Sequence, residues 1–556
     1  MQFERTLIET RARSLRYPEI PSVYELRIIT TPPPKEKFFI GGVTWHHPAK
    51  RILWEFGQVD DLKVLSDLVP NGADIPPLPE DELRLLQIQY ESKPAEVVGW
   101  FRGWVSRNFS SRTELIVPTD FLPAPLLGSG ALADEWRAAW NYADDWAKFL
   151  RTVSNPHPQS TIIDMPYPFL IPAGRFQEWY YWDTWPAVEA LLLTNRDDLA
   201  FMQIENLLEM IRHFGFPPNG GRTYYLTRSQ PPVIYRLVRE VVEKRLSKAN
   251  AEEREQLLLW VKRRALPLLS KSYFDRWRNP NFNHDPLTGL AHWWSEVDSP
   301  RIEKHGKDND SKYGRTSRAV KAACESGRDF TEAFEGCADD VGSVFLNSLL
   351  YEAENAMAWL SGLVAEPGQQ REFSAYALER KHNVNKWLWN ETDQRYQNIF
   401  LDKKNAGKGR RLLRHTTAEA FSPYKVGIVR TRDAVKIRAL RDLYDELLSL
   451  GGISASDRYL SYDQWDGENV WAPDNLEAAD AMFAMGYISE AKEIALRFNS
   501  MVRDEHSETG FFYERYNGRT RKRPTPNAHQ YPVQEGFLWT NAAFIIFGIK
   551  YLNFSF

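Results

Sequence analysis

A mostly helical fold built from many medium-length helices is what this 556-residue sequence predicts, on two observations. Apolar residues recur at three- and four-residue steps over long stretches, which lays one apolar stripe along one face of a helix. The strand-helix alternation of a parallel sheet is missing, and no fixed repeat is visible.

Residues 1 to about 55 carry short β-prone pieces such as Val23-Tyr-Glu-Leu-Arg-Ile-Ile29, broken by Thr30-Thr-Pro-Pro-Pro34, and read as an N-terminal extension of unknown role. From residue 56 the pattern turns helical. Leu132, Trp136, Ala139, Ala143, Ala147 and Leu150 predict a helix over 132–150. Further helices are predicted over 195–214, 232–247, 251–275, 343–363, 369–388, 474–485 and 536–552. Thr431 can cap one in which Ile437, Leu440, Tyr444 and Leu447 form the stripe, with Gly451-Gly452 as its stop.

Composition excludes several function classes. The 70 basic residues against 74 acidic ones give no electrostatic argument for nucleic acid or an anionic membrane. Cys324 and Cys337 are the only cysteines, so no disulfide framework is expected and both are read as buried thiols. No metal or cofactor site is expected. Asp308-Asn-Asp310 opens like a calcium loop, but Lys312 and Tyr313 break it, and the basic run 403–411 lacks the phosphate-loop ending. The first residues carry charges where a leader needs an apolar run, and no stretch is apolar enough to span a bilayer, which predicts a cytoplasmic location. Oligomeric state is not legible.

The loops between helices hold the chemistry. Asp329, in Glu325-Ser-Gly-Arg-Asp-Phe330, and Glu514, in Phe512-Tyr-Glu-Arg-Tyr516, stand among many tryptophans and arginines. Breaking a glycosidic bond needs an acid for the leaving oxygen and a second carboxylate acting across the ring, so such a pair points to sugar chemistry. Taken singly, Asp329 reads as a cap or loop residue paired with Arg328, and Glu514 as an exposed glutamate bonded to Arg515. Their surroundings reverse that reading.

Pro172-Ala-Gly-Arg-Phe-Gln-Glu-Trp-Tyr-Tyr-Trp-Asp183 and Asp463-Gln-Trp-Asp-Gly-Glu-Asn-Val-Trp-Ala-Pro473 resemble the two signature segments of the family 37 glycoside hydrolases, the trehalases. Pro218-Asn-Gly-Gly-Arg-Thr-Tyr-Tyr-Leu-Thr-Arg-Ser-Gln-Pro-Pro232 and Gly536-Phe-Leu-Trp-Thr-Asn541 resemble two more of its motifs, so the likeness runs in order from about residue 56 to the C-terminus. The resemblance implies an (α/α)6 barrel, a six-hairpin toroid, over 56–556, with the site at one mouth. It implies an inverting hydrolase of α,α-trehalose needing no cofactor, with Asp329 as general acid and Glu514 as general base. It assigns the glucosyl unit to Arg175, Trp182, Asn219, Arg228, Arg301 and Glu303. Phe176, Tyr180, Tyr181 and Trp465 offer flat faces for a sugar ring, and Asp183 closes the first signature.

The sequence also departs from the family. Gln530 stands where a glutamate precedes Tyr-Pro in the loop closing over the second sugar, Ala173 replaces a glycine, Gly467-Glu468 replaces a residue and a proline, and Leu538 replaces a glycine. The altered loop leaves open a related inverting α-glucosidase with another aglycone, an acidic one if the basic segment Arg519-Thr-Arg-Lys-Arg523 faces it. A sugar-binding protein that has lost turnover is the alternative from outside the enzymes.

Overall fold

The structure, a computed structural model, describes residues 114–124, 126, 134–155, 162–222, 225–295, 317–331, 333–401, 413, 415–457, 463–525 and 533–554, together with four three-residue strands between residues 38 and 111. Most of residues 1–55 lies outside it. Inside that stretch, Phe38–Ile40 pairs antiparallel with Val43–Trp45.

Helices alternate along the chain between two sets, which differ in what they touch. The first set comprises α2 (Thr184–Leu193), α7 (Val344–Leu363), the short α9 (Ser422–Lys425), α11 (Ala472–Ala484) and α13 (Leu538–Lys550), each buried over most of its length, and α4 (Ile234–Leu246), buried over Ile234–Val238 and at Val241 and Val242. In α13 every residue from Leu538 to Gly548 is buried, as expected of a helix packed from every direction. In the second set, α1 (Asp134–Ala143) buries Ala139, Trp140 and Ala143, α3 (Asp197–Phe214) is buried throughout Gln203–Arg212, α5 (Ala251–Trp260) buries Leu257, and α8 (Pro367–Trp387), α10 (Ala434–Leu447) and α12 (Ile488–Thr509) each bury a single stripe. In α8 that stripe is Phe373, Ala377, Arg380 and Val384.

Contacts close the first set into a ring: α2 touches α4, α4 touches α7, α7 touches α9, α9 touches α11, α11 touches α13, and α13 returns to α2. The second set lies outside, with α8 against α7, α12 against α11, and α3 against α2. α5 reaches the ring through its continuation over Val261–Ala265 and Leu266–Ser272, which packs on α3 and α7. The fold is thus an (α/α)6 barrel of six inner and six outer helices among the described residues. α6 (Ser317–Glu325) leads into the loop before α7.

Helix periodicity locates most of these elements but misplaces two ends. The helix expected over 132–150 stops at Ala143. Asp144 turns the chain by accepting from Trp146 Nε1 at 3.2 Å and Leu126 N at 2.8 Å and by pairing with Arg196. The helix expected from Thr431 is capped by Asp433, whose carboxylate accepts from Lys436 N at 3.2 Å. It ends at Leu447 because Leu448–Ser449 pairs with Gly452–Ile453. Gly452, at φ +123°, lies so close to the Asn475 carboxamide that any Cβ would collide with it. Helices α2, α6, α9 and α12 have no counterpart among the helices expected from periodicity.

Candidate active site

Among the described residues, each loop carrying a candidate site residue leads to the N-terminus of an inner helix. Trp182 and Asp183 immediately precede α2, Asn219 and Arg228 lie in the loop before α4, Asp329 before α7, Trp465 before α11, and Glu514 before α13. Closing the ring therefore gathers residues more than three hundred positions apart around one mouth. The inner-helix N-termini there carry partial positive charge, which favours carboxylates.

Arg175 and Phe176 sit on a tight turn in which Phe176 N donates to Ala173 O at 3.0 Å. The backbone of Ala173 is left-handed, at φ +82°. Glycine adopts that conformation without the Cβ clash, so Ala173→Gly is expected to raise stability by up to ~1 kcal/mol. A thermal-unfolding midpoint at or below the parent's would contradict this. The turn is tied across the chain by Arg175 N, which donates to Gln534 Oε1 at 3.0 Å. The Arg175 guanidinium lies 4.7 Å from the Phe176 ring.

Tyr180 is buried edge-on to Phe176, with ring centroids 5.3 Å apart. Its hydroxyl donates to Glu178 Oε1 at 2.7 Å and stands 2.6 Å from Tyr225 Oη. Glu178 is in turn paired with Arg222 at 3.2 Å. Tyr181 belongs to the core rather than to a sugar platform, its hydroxyl accepting from Ile234 N at 3.1 Å. Arg228 Nε donates to Asn219 Oδ1 at 3.0 Å, and their backbones are bonded as well, so these two form one unit. Asp183 is the N-cap residue of α2, although its carboxylate does not cap the helix.

Trp182, Trp465 and Trp539 form an aromatic floor with centroids 5.8 to 6.3 Å apart. One face of Trp465 is covered by Trp471, stacked at 3.8 Å and 5°. Gly327 passes over Trp182 so closely that a Cβ would lie 2.6 Å from its Cε2.

Glu514 is buried, with 6% exposure, and is therefore not the exposed glutamate that its sequence neighbours suggest in isolation. It is placed just before strand Arg515–Asn517, which pairs with Asn469–Trp471. Its backbone N donates to Gln534 O at 2.9 Å, and its backbone O accepts from Trp539 Nε1 at 2.8 Å. Its carboxylate accepts from Arg515 Nη1 and Gln534 N, each at 3.4 Å. Burial raises its pKa above the ordinary glutamate value, the charges of Arg515 and Arg175 oppose that rise, and Asp329 adds to it. The field of Asp329 also reaches Arg515, whose pKa burial depresses to about 10, still protonated at neutral pH. The two predicted carboxylates thus share one electrostatic environment with two arginines. Arg328 is not the partner of Asp329: its guanidinium pairs with Asp474 and Glu419.

Arg301, Glu303 and Gln530 lie outside the described residues, as do the 403–411 run and Asp308-Asn-Asp310. The basic segment after Glu514 is described and is paired with the protein's own carboxylates. Arg519 pairs with Glu468 at 3.5 Å, Arg521 with Asp504 at 2.8 Å, Lys522 with Glu508 at 2.5 Å, and Arg523 with Glu505 at 3.8 Å. These are surface pairs, with the Arg519 side chain largely exposed. Cys324 is buried, whereas Cys337 is only half-buried.

Three residues that sequence reasoning passed over organise the site. Gln534 links the Arg175 turn to Glu514. Gln230 accepts from Trp182 N at 3.0 Å. Glu325, fully buried, accepts from Ser229 N, Arg276 Nη2, Asn283 Nδ2 and Trp294 N at 2.5 to 2.9 Å. Gln230 and Glu325 fall inside the sequence motifs and Gln534 lies two residues before one, but nothing local distinguishes an acceptor of buried backbone groups from a solvated side chain.

An (α/α)6 ring whose mouth holds two carboxylates, arginines and an aromatic floor is the arrangement of a glycoside hydrolase. The chain belongs to the trehalase family, whose model matches residues 104–553. A periplasmic trehalase of Xanthomonas axonopodis pv. citri is 29% identical over 425 residues, covering 71% of this chain and 70% of that protein. Among solved structures, the neutral trehalase of Saccharomyces cerevisiae superposes with a TM-score of 0.56 at 25% identity, covering 72% of this chain and 75% of the other. The periplasmic relative overturns the cytoplasmic location expected from the charged first residues. Charge near the start of a chain carries no information about a leader that export removes. Among the described residues, no helix is long and apolar enough to cross a membrane.

Proposed function

We propose that this chain hydrolyses α,α-trehalose to two glucose molecules with inversion, Asp329 protonating the bridging oxygen while Glu514 takes a proton from the attacking water. The observation that carries this reading is the buried Glu514 carboxylate, set beside Arg515 and within the fields of Arg175 and Asp329. A base in that position must be ionised, and the two arginines stabilise its charge. Arg175, Asn219 and Arg228, with Arg301 and Glu303, bind the glucosyl unit. Trp182, Trp465 and Phe176 bound it with apolar faces, while Tyr180 and Asp183 hold the walls. Nothing in the reaction calls for a cofactor.

The substrate is tested by incubating the purified protein with a panel of glucose disaccharides and following free glucose. Trehalose is expected to give the highest kcat/KM, and absence of turnover on every sugar would leave a binding protein. Gln530 supplies only a neutral amide where a carboxylate would take strong hydrogen bonds from the second sugar. Gln530→Glu is therefore expected to lower KM for trehalose with little change in kcat, the pattern of equal gain in ground and transition states. An unchanged or higher KM contradicts a role for this position in leaving-sugar binding.

A further inference from the structure

The turn that carries Asp329 is held in an unfavourable backbone shape. Gly327 has φ +75°, and Phe330, a bulky residue, has φ +65°. A left-handed phenylalanine persists only when its surroundings fix it from both sides. On the far side the fixing contacts are main-chain and hydroxyl bonds: Trp465 N donates to Phe330 O at 3.2 Å, and Thr331 Oγ1 donates to Asp466 Oδ1 at 2.6 Å. On the near side the anchor is the Arg328 side chain, which is 5% exposed.

Arg328 runs down among the N-terminal ends of three inner helices. Its Nη2 donates to Asp474 Oδ1, in the first turn of α11, at 2.5 Å. Its Nε lies 3.7 Å from Glu419 Oε1, just before α9. Its guanidinium carbon is 4.4 Å from the ring of Phe345 at the start of α7, 5.4 Å from that of Trp465 and 5.9 Å from that of Trp182. One cation thus bridges two buried carboxylates and lies against two members of the aromatic floor. Glu419 is held separately by Asn398 Nδ2 at 3.0 Å. Burial raises both carboxylates, Asp474 to about 6, and in each the charge of Arg328 is the first influence that opposes the rise.

We infer that Arg328 is a positioning residue for the reaction: its side chain bolts the strained Asp329 turn and the Trp182–Trp465 floor to the N-terminal ends of α7, α9 and α11. The inference rests on the reading of Asp329 as the acid. A rigid anchor matters because a displacement of about 1 Å at a reacting group costs up to ~100-fold in rate.

Removing the arginine alone strands two carboxylates, so Arg328→Met can fail for stability alone. The decisive variant is the neutralised triple Arg328→Met, Asp474→Asn, Glu419→Gln, measured beside Arg328→Lys for melting temperature, kcat and KM on trehalose. The triple is expected to melt close to the parent while kcat falls at least about tenfold and KM shifts little, because the acid acts only in the transition state. Lysine keeps the charge but not the planar fork, so its kcat should fall between the two. Recovery of both melting temperature and kcat in the triple overturns the inference, since Arg328 then serves stability only. Should the triple not fold, Arg328→Lys decides: parent-like kcat in that variant overturns it, and a lowered kcat at parent stability supports it. Asp329→Asn separates the two claims. If it keeps turnover the acid assignment fails, whereas if it is inactive and the triple keeps parent kcat, only the positioning role fails.

Discussion

Replacing Glu514 by Gln, or Asp329 by Asn, is expected to cut kcat at least about a hundredfold, the scale set by one general acid or base. The amide keeps the shape of each side chain. At Glu514 the contacts of the neighbours persist, since Arg515 Nη1 also donates to Gln464 Oε1 at 3.2 Å and the backbone of Glu514 stays bonded to Gln534. Folding should survive, so circular dichroism is expected to match the parent while turnover is lost. The sign of the pH dependence follows from the raised pKa of Glu514, whose buried carboxyl gives up its proton only above the ordinary glutamate range. A base works in its ionised form, so kcat/KM should fall as pH drops through that raised value. An acid limb at or below about pH 4.3, the unperturbed glutamate value, would show that another group limits the rate. Normal turnover in either amide variant defeats the assignment.

The largest loss of stability is expected at Glu325. Glu325→Ala removes an acceptor that serves four donors and leaves Arg276 buried without its carboxylate at 2.5 Å. Breaking such a buried pair costs ~3–5 kcal/mol because the remaining charge keeps its desolvation penalty without its partner. The effect should reach the site as well, since Glu325 holds Ser229 N beside Arg228, and Asp329 lies four residues further along the chain. A fall in the urea midpoint together with a raised KM is the expected result. A midpoint within the scatter of the parent would show that the four donors find other partners.

What the sequence made legible follows from the range over which each signal acts. Stripes at three- and four-residue steps locate α3, α7 and α8 within a few residues, because a helix facing a core needs only local spacing. The same signal misses α2, a ten-residue and mostly apolar stretch too short to tell a helical period from a buried run. It runs past Ala143 because the interruption there is Asp144 closing on Arg196, 52 positions away. For the proposed site, the motifs single out Asp329, Glu514, Arg175, Trp182, Asn219 and Arg228 as candidates. The closed ring then sets them on loops that enter inner helices at one mouth. Periodicity could not supply the ring itself, which depends on contacts such as α13 against α2. Nor could it reveal that Arg328 turns away from Asp329 toward Asp474, a partner 146 positions distant.

The most direct test of the central claim is proton NMR of trehalose hydrolysis at times short against mutarotation. Inversion at the attacked ring releases β-glucose, while the leaving glucose keeps its α configuration, because the water and the departing oxygen occupy opposite faces of that ring. α- and β-glucose are therefore expected to appear together, in equal amounts, from the first spectra. Release of α-glucose alone would show a route through a covalent intermediate, and would contradict the roles of Asp329 as general acid and Glu514 as general base.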